Sequence, residues 1–379
     1  MRRRFALLAA VGLLCCLPCL AAPAHGTPAA APGPGVAPGP APSASPATPL
    51  MAYYYQWYDP GSWRRAKADL PALGGYSSDD PNVIRRHIRE AKAAGIDGFI
   101  TSWKDTPKND RRLALLMSIA RAEHFRLAMI YQGLDFTRRP LPAERVRADF
   151  RTFRDRYAHD PVFLRLGGKP LTILSGTWKF SHQEVARITS DVRGDLLVLA
   201  SEKNVAGYRR LADVTDGDAY YWSSVDPYTQ RGSAAKLRAM ADAVHADGHY
   251  WVAPFAPGFD ARLVGGTGAV PRRDGATLRA EYGAAIRSAP DVLGLISWNE
   301  FSENTHVEPS RVFGTRYLRI LRELRGGTAP APAGPAVDSS DGPVAHGAGR
   351  IVLLTAGLTG PAALIAGAAV LRHRQRVST

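Results

Sequence analysis

Cysteine is almost missing from this chain. Its 379 residues hold three, Cys15, Cys16 and Cys19, all within the first 24. That excludes a disulfide framework, thiolate catalysis and cysteine-based zinc sites from the remainder. Other signatures are missing as well. The histidines show no HExxH-type spacing, and Ser175-Gly176-Thr177 lacks the GxSxG frame of a nucleophile elbow. No phosphate-cradling loop and no Gly-rich dinucleotide fingerprint occurs. No cofactor or metal site is read from the sequence. Basic residues do not cluster with aromatics, so nucleic-acid binding finds no support.

The formal net charge is +14. Subtracting seven arginines near the ends (Arg2, Arg3, Arg4, Arg350, Arg372, Arg374 and Arg376) leaves +7. The other basic residues alternate with acids along helical stretches. Such a surface suits an anionic cell envelope or an acidic glycan.

The ends differ in composition from the middle. Met1-Arg2-Arg3-Arg4, the apolar run Phe5 to Ala22 and the small residues that follow predict a signal peptide over 1–24. An uncleaved signal anchor is the other reading. Residues 25–48 are a Pro/Ala-rich linker, and 327–349 a second one. The apolar run Ile351 to Leu371 would span roughly 30 Å as a helix, which predicts a transmembrane segment over 350–371. The basic tail 372–379 would stay cytoplasmic. These features predict a single-pass protein of the cell membrane, with residues 49–326 outside the cytoplasm.

Residues 49–326 alternate short apolar runs with longer amphipathic ones. Strands are predicted at Leu50–Tyr55, Gly98–Trp103, Arg126–Tyr131, Pro170–Leu174, Asp195–Ala200, Asp218–Trp222, His249–Ala253 and Val292–Trp298. Helical patterns separate or follow them. Eight strand–helix pairs predict an α/β fold, a single (β/α)8 barrel closed by parallel strands.

In that fold chemistry sits at the C-terminal ends of the strands. Those ends are rich in aromatics and carboxylates. Tyr53, Tyr55, Trp57, Trp103, Tyr131, Glu202, Tyr221, Trp222, Asp260, Trp298 and Asn299 are the candidate substrate contacts, with His306 in a contact or structural role. Rings stack on the apolar faces of sugars, and polar groups hold their hydroxyls; rings are also ordinary core residues. Glu300 and Glu303 are the candidate catalytic pair. Glycoside cleavage needs one carboxyl group to protonate the departing oxygen and a second as base or nucleophile. ExxE spacing is common, however, and spacing alone leaves open that both are surface acids of the last βα loop.

The run Ile296-Ser297-Trp298-Asn299-Glu300-Phe301-Ser302-Glu303-Asn304-Thr305-His306-Val307-Glu308-Pro309-Ser310 resembles the signature of glycoside hydrolase family 99, the endo-α-mannosidases and endo-α-mannanases. Supporting matches are Tyr53-Tyr54-Tyr55 with Trp57-Tyr58, Tyr76 to Pro81, Ala94 to Phe99, Pro257 to Asp260, and Arg273-Asp274-Gly275. The resemblance implies an α-linked oligo- or polysaccharide substrate, most readily an α-mannoside cut internally. It implies retention through a 1,2-anhydro sugar, with Glu300 deprotonating the substrate's 2-hydroxyl and Glu303 as acid/base. No metal is implied. Phe301, Ser302, Asn304 and His306 depart from the family pattern beside the pair, so they bear on the sugar and linkage. Two other readings stand beside this one: an endo-α-1,3-glucanase-like hydrolase, and a surface glycan-binding barrel without catalysis.

Overall fold

The computed structural model describes residues 48–326 apart from Phe136. The predicted signal peptide, nearly all of the first linker, the second linker, the 350–371 span and the tail lie outside the described residues. Among the described residues no helix is long and apolar enough to cross a membrane.

Eight strands carry the fold. They are β1 (Leu50–Tyr54), β2 (Gly98–Trp103), β3 (Arg126–Gln132), β4 (Lys169–Ser175), β5 (Leu197–Leu199), β6 (Gly217–Asp218), β7 (Tyr250–Phe255) and β8 (Val292–Leu295). A helix follows each strand: α1 (Pro81–Ala93), α2 (Pro107–Ala122), α3 (Ala143–Arg156), α4 (His182–Thr189), α5 (Val205–Arg209), α6 (Ser233–Ala246), α7 (Ala276–Arg287) and α8 (Arg316–Leu324). The strands pair in parallel from β5 through β4, β3, β2, β1, β8 and β7 to β6.

The sheet curls until its two ends touch, but the contact is thin. β5 and β6 meet through the bridge Ala200–Asp218 and two backbone hydrogen bonds that Ala200 makes with Gly217 and Ala219. A full strand at Asp218–Trp222 was expected here, and only two residues pair. Beyond Ala219 the chain has no strand partner. Gly217 makes the passage possible: at φ 145° a Cβ would stand 2.0 Å from the Tyr250 carbonyl oxygen. The α/β alternation is thus present, on a strongly curled parallel sheet rather than an evenly closed ring.

Side chains alternate across the sheet, as strand geometry requires. Met51, Tyr53, Ile100, Ala128, Ile130, Ile173 and Val252 point inward and form one cluster. Leu50, Ala52, Tyr54, Phe99, Trp103, Leu127, Met129 and Tyr131 point outward and pack under the helices. Local signals set the helix starts. Asp80 caps α1 by accepting from Asn82 N, with Pro81 at the first turn. Thr106 caps α2 ahead of Pro107, five residues before the Arg112 start that apolar spacing suggests. At the other end, Ser310 and Gly314 exchange backbone hydrogen bonds in a turn, and α8 starts after it at Arg316.

Candidate active site

The segment after β8 does not continue as strand to Trp298. It folds back on itself. Ser297 N donates to Thr305 O, Thr305 N to Glu300 O, and Val307 N and Glu308 N to Trp298 O. The Ser297 hydroxyl accepts from Glu300 N at 2.8 Å and pairs with the Thr305 hydroxyl at 2.9 Å. This turn holds Glu300 and Glu303 at the C-terminal mouth of the sheet.

Side chains from other elements fasten the turn. Asn299 accepts from Tyr55 N at 2.8 Å and donates to Tyr55 O at 3.0 Å, joining the turn to the end of β1. Tyr58 donates to Asn299 O at 2.6 Å. Tyr76 meets the Asn299 amide at 3.3 Å and donates to Glu308 at 2.8 Å. From the other side the buried Arg272 guanidinium donates to the carbonyl oxygens of Asn304 and His306, both at 2.8 Å. Asp260 N donates to the Glu303 carbonyl at 2.8 Å. Neutral and charge-assisted bonds together leave the turn little freedom.

Above it opens a cleft of about 680 Å³. Tyr55, Gln56, Trp57, Ser102, Lys104, Gln132, Asp135, Arg138, Ser175, Trp178, Tyr221, Glu300 and Glu303 are among its lining residues. The size falls within the usual range for small-molecule sites, roughly 300–1,000 Å³. Glu300 is buried and Glu303 half-buried. Burial, and then the neighbouring Glu303 charge, push the Glu300 carboxyl up to about 8, against the pull of Ser302 N–H and Lys67. Burial also raises Glu303, opposed by Arg138. Repulsion between two close carboxyls favours the state with one proton on the pair over the doubly ionised one. Glycoside cleavage uses that state, one carboxyl protonated and one ionised. The Tyr55 and Tyr221 hydroxyls meet at 2.7 Å. Burial and the nearby acids raise both phenols, so they stay neutral donors. Trp57 stacks on Tyr55 with ring centres 4.2 Å apart and is 43 % exposed, an open ring face at the cleft.

Of the residues singled out in the sequence, the cleft gathers Tyr55, Trp57, Tyr221, Glu300 and Glu303. Tyr53 lies just beneath, edge-on to Tyr221 at 4.9 Å. The others do not line it. Trp103 and Tyr131 were expected in the site, but strand alternation turns them outward. Trp103 donates to Asp110 at 3.0 Å and Tyr131 to Asp149 at 2.8 Å, both under the helices. Trp298 also faces outward, against Phe99 and His87. Trp222 stacks on Tyr220 beneath the Lys236 ammonium. Glu202 is buried and bonds Arg210 at 3.0 Å. Asp260 pairs with Arg262, and His306 with Asp69 at 3.2 Å. Asn299 is wholly buried and acts through Tyr55.

The positions that depart from the family signature also miss the cleft. Phe301 and His306 stack on each other with ring centres 4.0 Å apart. Asn304 takes a positive φ of 51° and offers its carbonyl to Arg272. These residues shape the turn.

Sequence reasoning passed over Ser102, Gln132 and Ser175, which stand one position from an aromatic or aliphatic outward neighbour. Alternation from the inward Ile100 and Ile130 would have found the first two. Asp135 and Arg138 come from the β3–α3 loop, where no periodic signal exists. Among the described residues no group of three or more His, Cys, Asp or Glu side chains is placed to hold a metal.

Comparison with known proteins agrees with this geometry. The model of glycosyl hydrolase family 99 matches residues 64–322. Glycoprotein endo-alpha-1,2-mannosidase of Rattus norvegicus is 21% identical over 275 residues, covering 65% of this chain and 58% of the relative. The chain therefore spans a little over half of that relative's length. The GH99 endo-alpha-mannosidase from Bacteroides thetaiotaomicron superposes with a TM-score of 0.63 at 20% identity, covering 73% of this chain and 98% of that one. A glycoside hydrolase-like protein superposes with a TM-score of 0.57 at 16% identity, covering 76% and 96%. At such identity the superpositions speak for the fold; the match of the family model over most of the chain speaks for descent, and the chain belongs to glycosyl hydrolase family 99.

Proposed function

We propose that this glycoside hydrolase cuts α-mannosides internally, as the names of its relatives describe for those proteins. The observation that carries the reading is the pair Glu300 and Glu303, set on one hydrogen-bonded turn and facing one cleft. We read the curled sheet as a (β/α)8 barrel with a narrow seam between β5 and β6. The Arg-led apolar run at 1–24 and the apolar run before the basic tail support an extracytoplasmic, membrane-anchored enzyme.

In this reading Glu300 takes the proton of the substrate's 2-hydroxyl, which attacks the anomeric carbon. A 1,2-anhydro sugar forms, the glycosidic bond breaks, and Glu303 protonates the departing oxygen. Glu303 then takes a proton from water, whose oxygen attacks the anomeric carbon; the C1–O2 bond breaks, Glu300 returns its proton to O2, and the product forms with net retention. The free cleft holds its proton mainly on the deeper Glu300. Substrate covering the half-buried Glu303 removes it from water and raises its proton affinity, while Lys67 continues to favour the Glu300 anion. The mechanism requires binding to bring the proton to Glu303, the group that must donate it. The reaction needs no metal.

A panel of α-mannans and α-1,3-glucans tests the substrate class. Release of oligosaccharides from α-mannan is expected. Release from α-1,3-glucan alone sinks the mannoside reading, and affinity without product from any member points to a binding protein.

A further inference from the structure

The cleft is segregated by charge. Two of its three lining carboxylates, Glu300 and Glu303, stand on the turn after β8. Its lining cations come from other elements, Lys104 just past β2 and Arg138 on the β3–α3 loop, and the Lys203 ammonium lies 4.5 Å over the cleft-lining Trp178. Among the described residues neither Lys104 nor Arg138 forms an ion pair, although most arginines here do. The two acids whose charges reach Lys104 are occupied: Asp149 is bound by Arg145 and Tyr131, and Asp135 by its own loop. Asp135 accepts from Thr137 N, the Thr137 hydroxyl and Arg139 N at 2.8 to 2.9 Å, and so shapes the loop. Lys104 is half-buried, its ammonium 5.8 Å over the Tyr131 ring, with no hydrogen-bond acceptor among the described residues. Burial holds its ammonium below the ordinary lysine range. A cation withdrawn from water beside an open cleft needs an anion to offset its desolvation. Residues 49–326 carry a net charge of +9, which favours approach of an anionic polymer.

We propose that the glycan bound here carries an anionic group, phosphate or carboxylate, that sits against Lys104 and Arg138 while the cleaved bond lies at Glu300 and Glu303. A neutral chain would leave Lys104 with hydroxyls only. An oxyanion accepts from the ammonium and from the guanidinium fork together. The proposal rests on the α-mannosidase reading above for its sugar, and on the cations alone for its charge.

The test uses the full chain and three forms of one α-mannan: untreated and neutral, phosphorylated, and oxidised at C6 to the carboxylate. Turnover is measured with the wild type and binding with Glu303→Gln. One anionic form should exceed the neutral form by roughly ten-fold or more in kcat/KM and in affinity, the worth of a hydrogen bond to a charged group. Which form wins identifies the anion. Lys104→Gln with Arg138→Gln should bring the anionic-to-neutral ratio down to about one, and Lys104→Arg should keep it. Equal handling of all three forms overturns the proposal, as does a preference that survives the double substitution. Absence of turnover on every form would sink the mannosidase reading instead, and the binding ratio would still decide the charge question.

Discussion

At the residue scale the proposed mechanism divides the labour between two glutamates three positions apart. An aryl α-mannoside with an acidic leaving phenol needs little help from a proton donor. Glu303→Gln should therefore lose about 10²–10⁴-fold in kcat on natural glycan and much less on the aryl substrate. Glu300→Gln should lose heavily on both, because the internal nucleophile still needs its base. The opposite pattern would exchange the two roles. Asn299 never touches the cleft, yet it holds Tyr55 by two hydrogen bonds. Asn299→Ala leaves buried backbone groups without partners, at about 1–3 kcal/mol. It should lower Tm and kcat together. Trp57 is the contrasting case. Its ring is open to solvent, so Trp57→Ala should leave Tm nearly unchanged and raise KM by about three- to ten-fold, the worth of one stacked ring.

At the element scale two buried guanidinium groups fasten the loops that carry the site. Arg272 bonds the carbonyls of Asn304 and His306 and lies 4.3 Å under Phe313 and 4.6 Å under Tyr317. Arg112 reaches the carbonyls of Gln56 and Tyr58 together with Asp59 and Asp79, and so holds the loop that presents Trp57. Removing one partner of such a buried charged network costs about 3–5 kcal/mol. Arg112→Met should unfold at a clearly lower temperature, read by thermal melting, and its surviving native fraction should show a raised KM. A melting point equal to wild type would mean that the loop does not depend on the guanidinium.

This scale also shows what the sequence could reveal. Alternation of apolar runs and amphipathic stretches marked all eight strand–helix pairs, because both periods are strong where each face is buried. Ends were read less well. The run expected as a strand at Asp218–Trp222 pairs only over Gly217–Asp218, and the turn after β8 is fastened by Asn299, whose partner Tyr55 lies far off in the chain. For the site, residue type misled where alternation decides. Trp103, Tyr131 and Trp298 look like sugar contacts by composition and are core rings by orientation. Ser102 and Gln132 look unremarkable and face the cleft. Arg138 and Asp135 come from a loop, and only the folded chain brings them opposite Glu303.

At the scale of the whole molecule, Glu300 ties stability to pH. Its folded carboxyl holds its proton up to about 8, while an unfolded glutamate releases it near 4.5. The advantage is complete below about 4.5 and is lost as pH rises through about 8. Glu300→Gln removes the titration. The melting temperature of the variant relative to wild type should therefore rise as pH goes from 4.5 to 8.5. A difference that stays constant across that range would show that Glu300 ionises normally in the fold. The same proton serves catalysis, so activity should fall on both sides of neutrality as the pair loses its shared proton or gains a second one.

The central claim is that Glu300 and Glu303 hydrolyse α-mannosides in this cleft. The most direct measurement is oligosaccharide release from α-mannan by wild type and by Glu303→Gln, with the variant's fold verified by its melting curve. The account predicts release by the wild type and a loss of about 10² or more in the folded variant. Undiminished release by folded Glu303→Gln would contradict it.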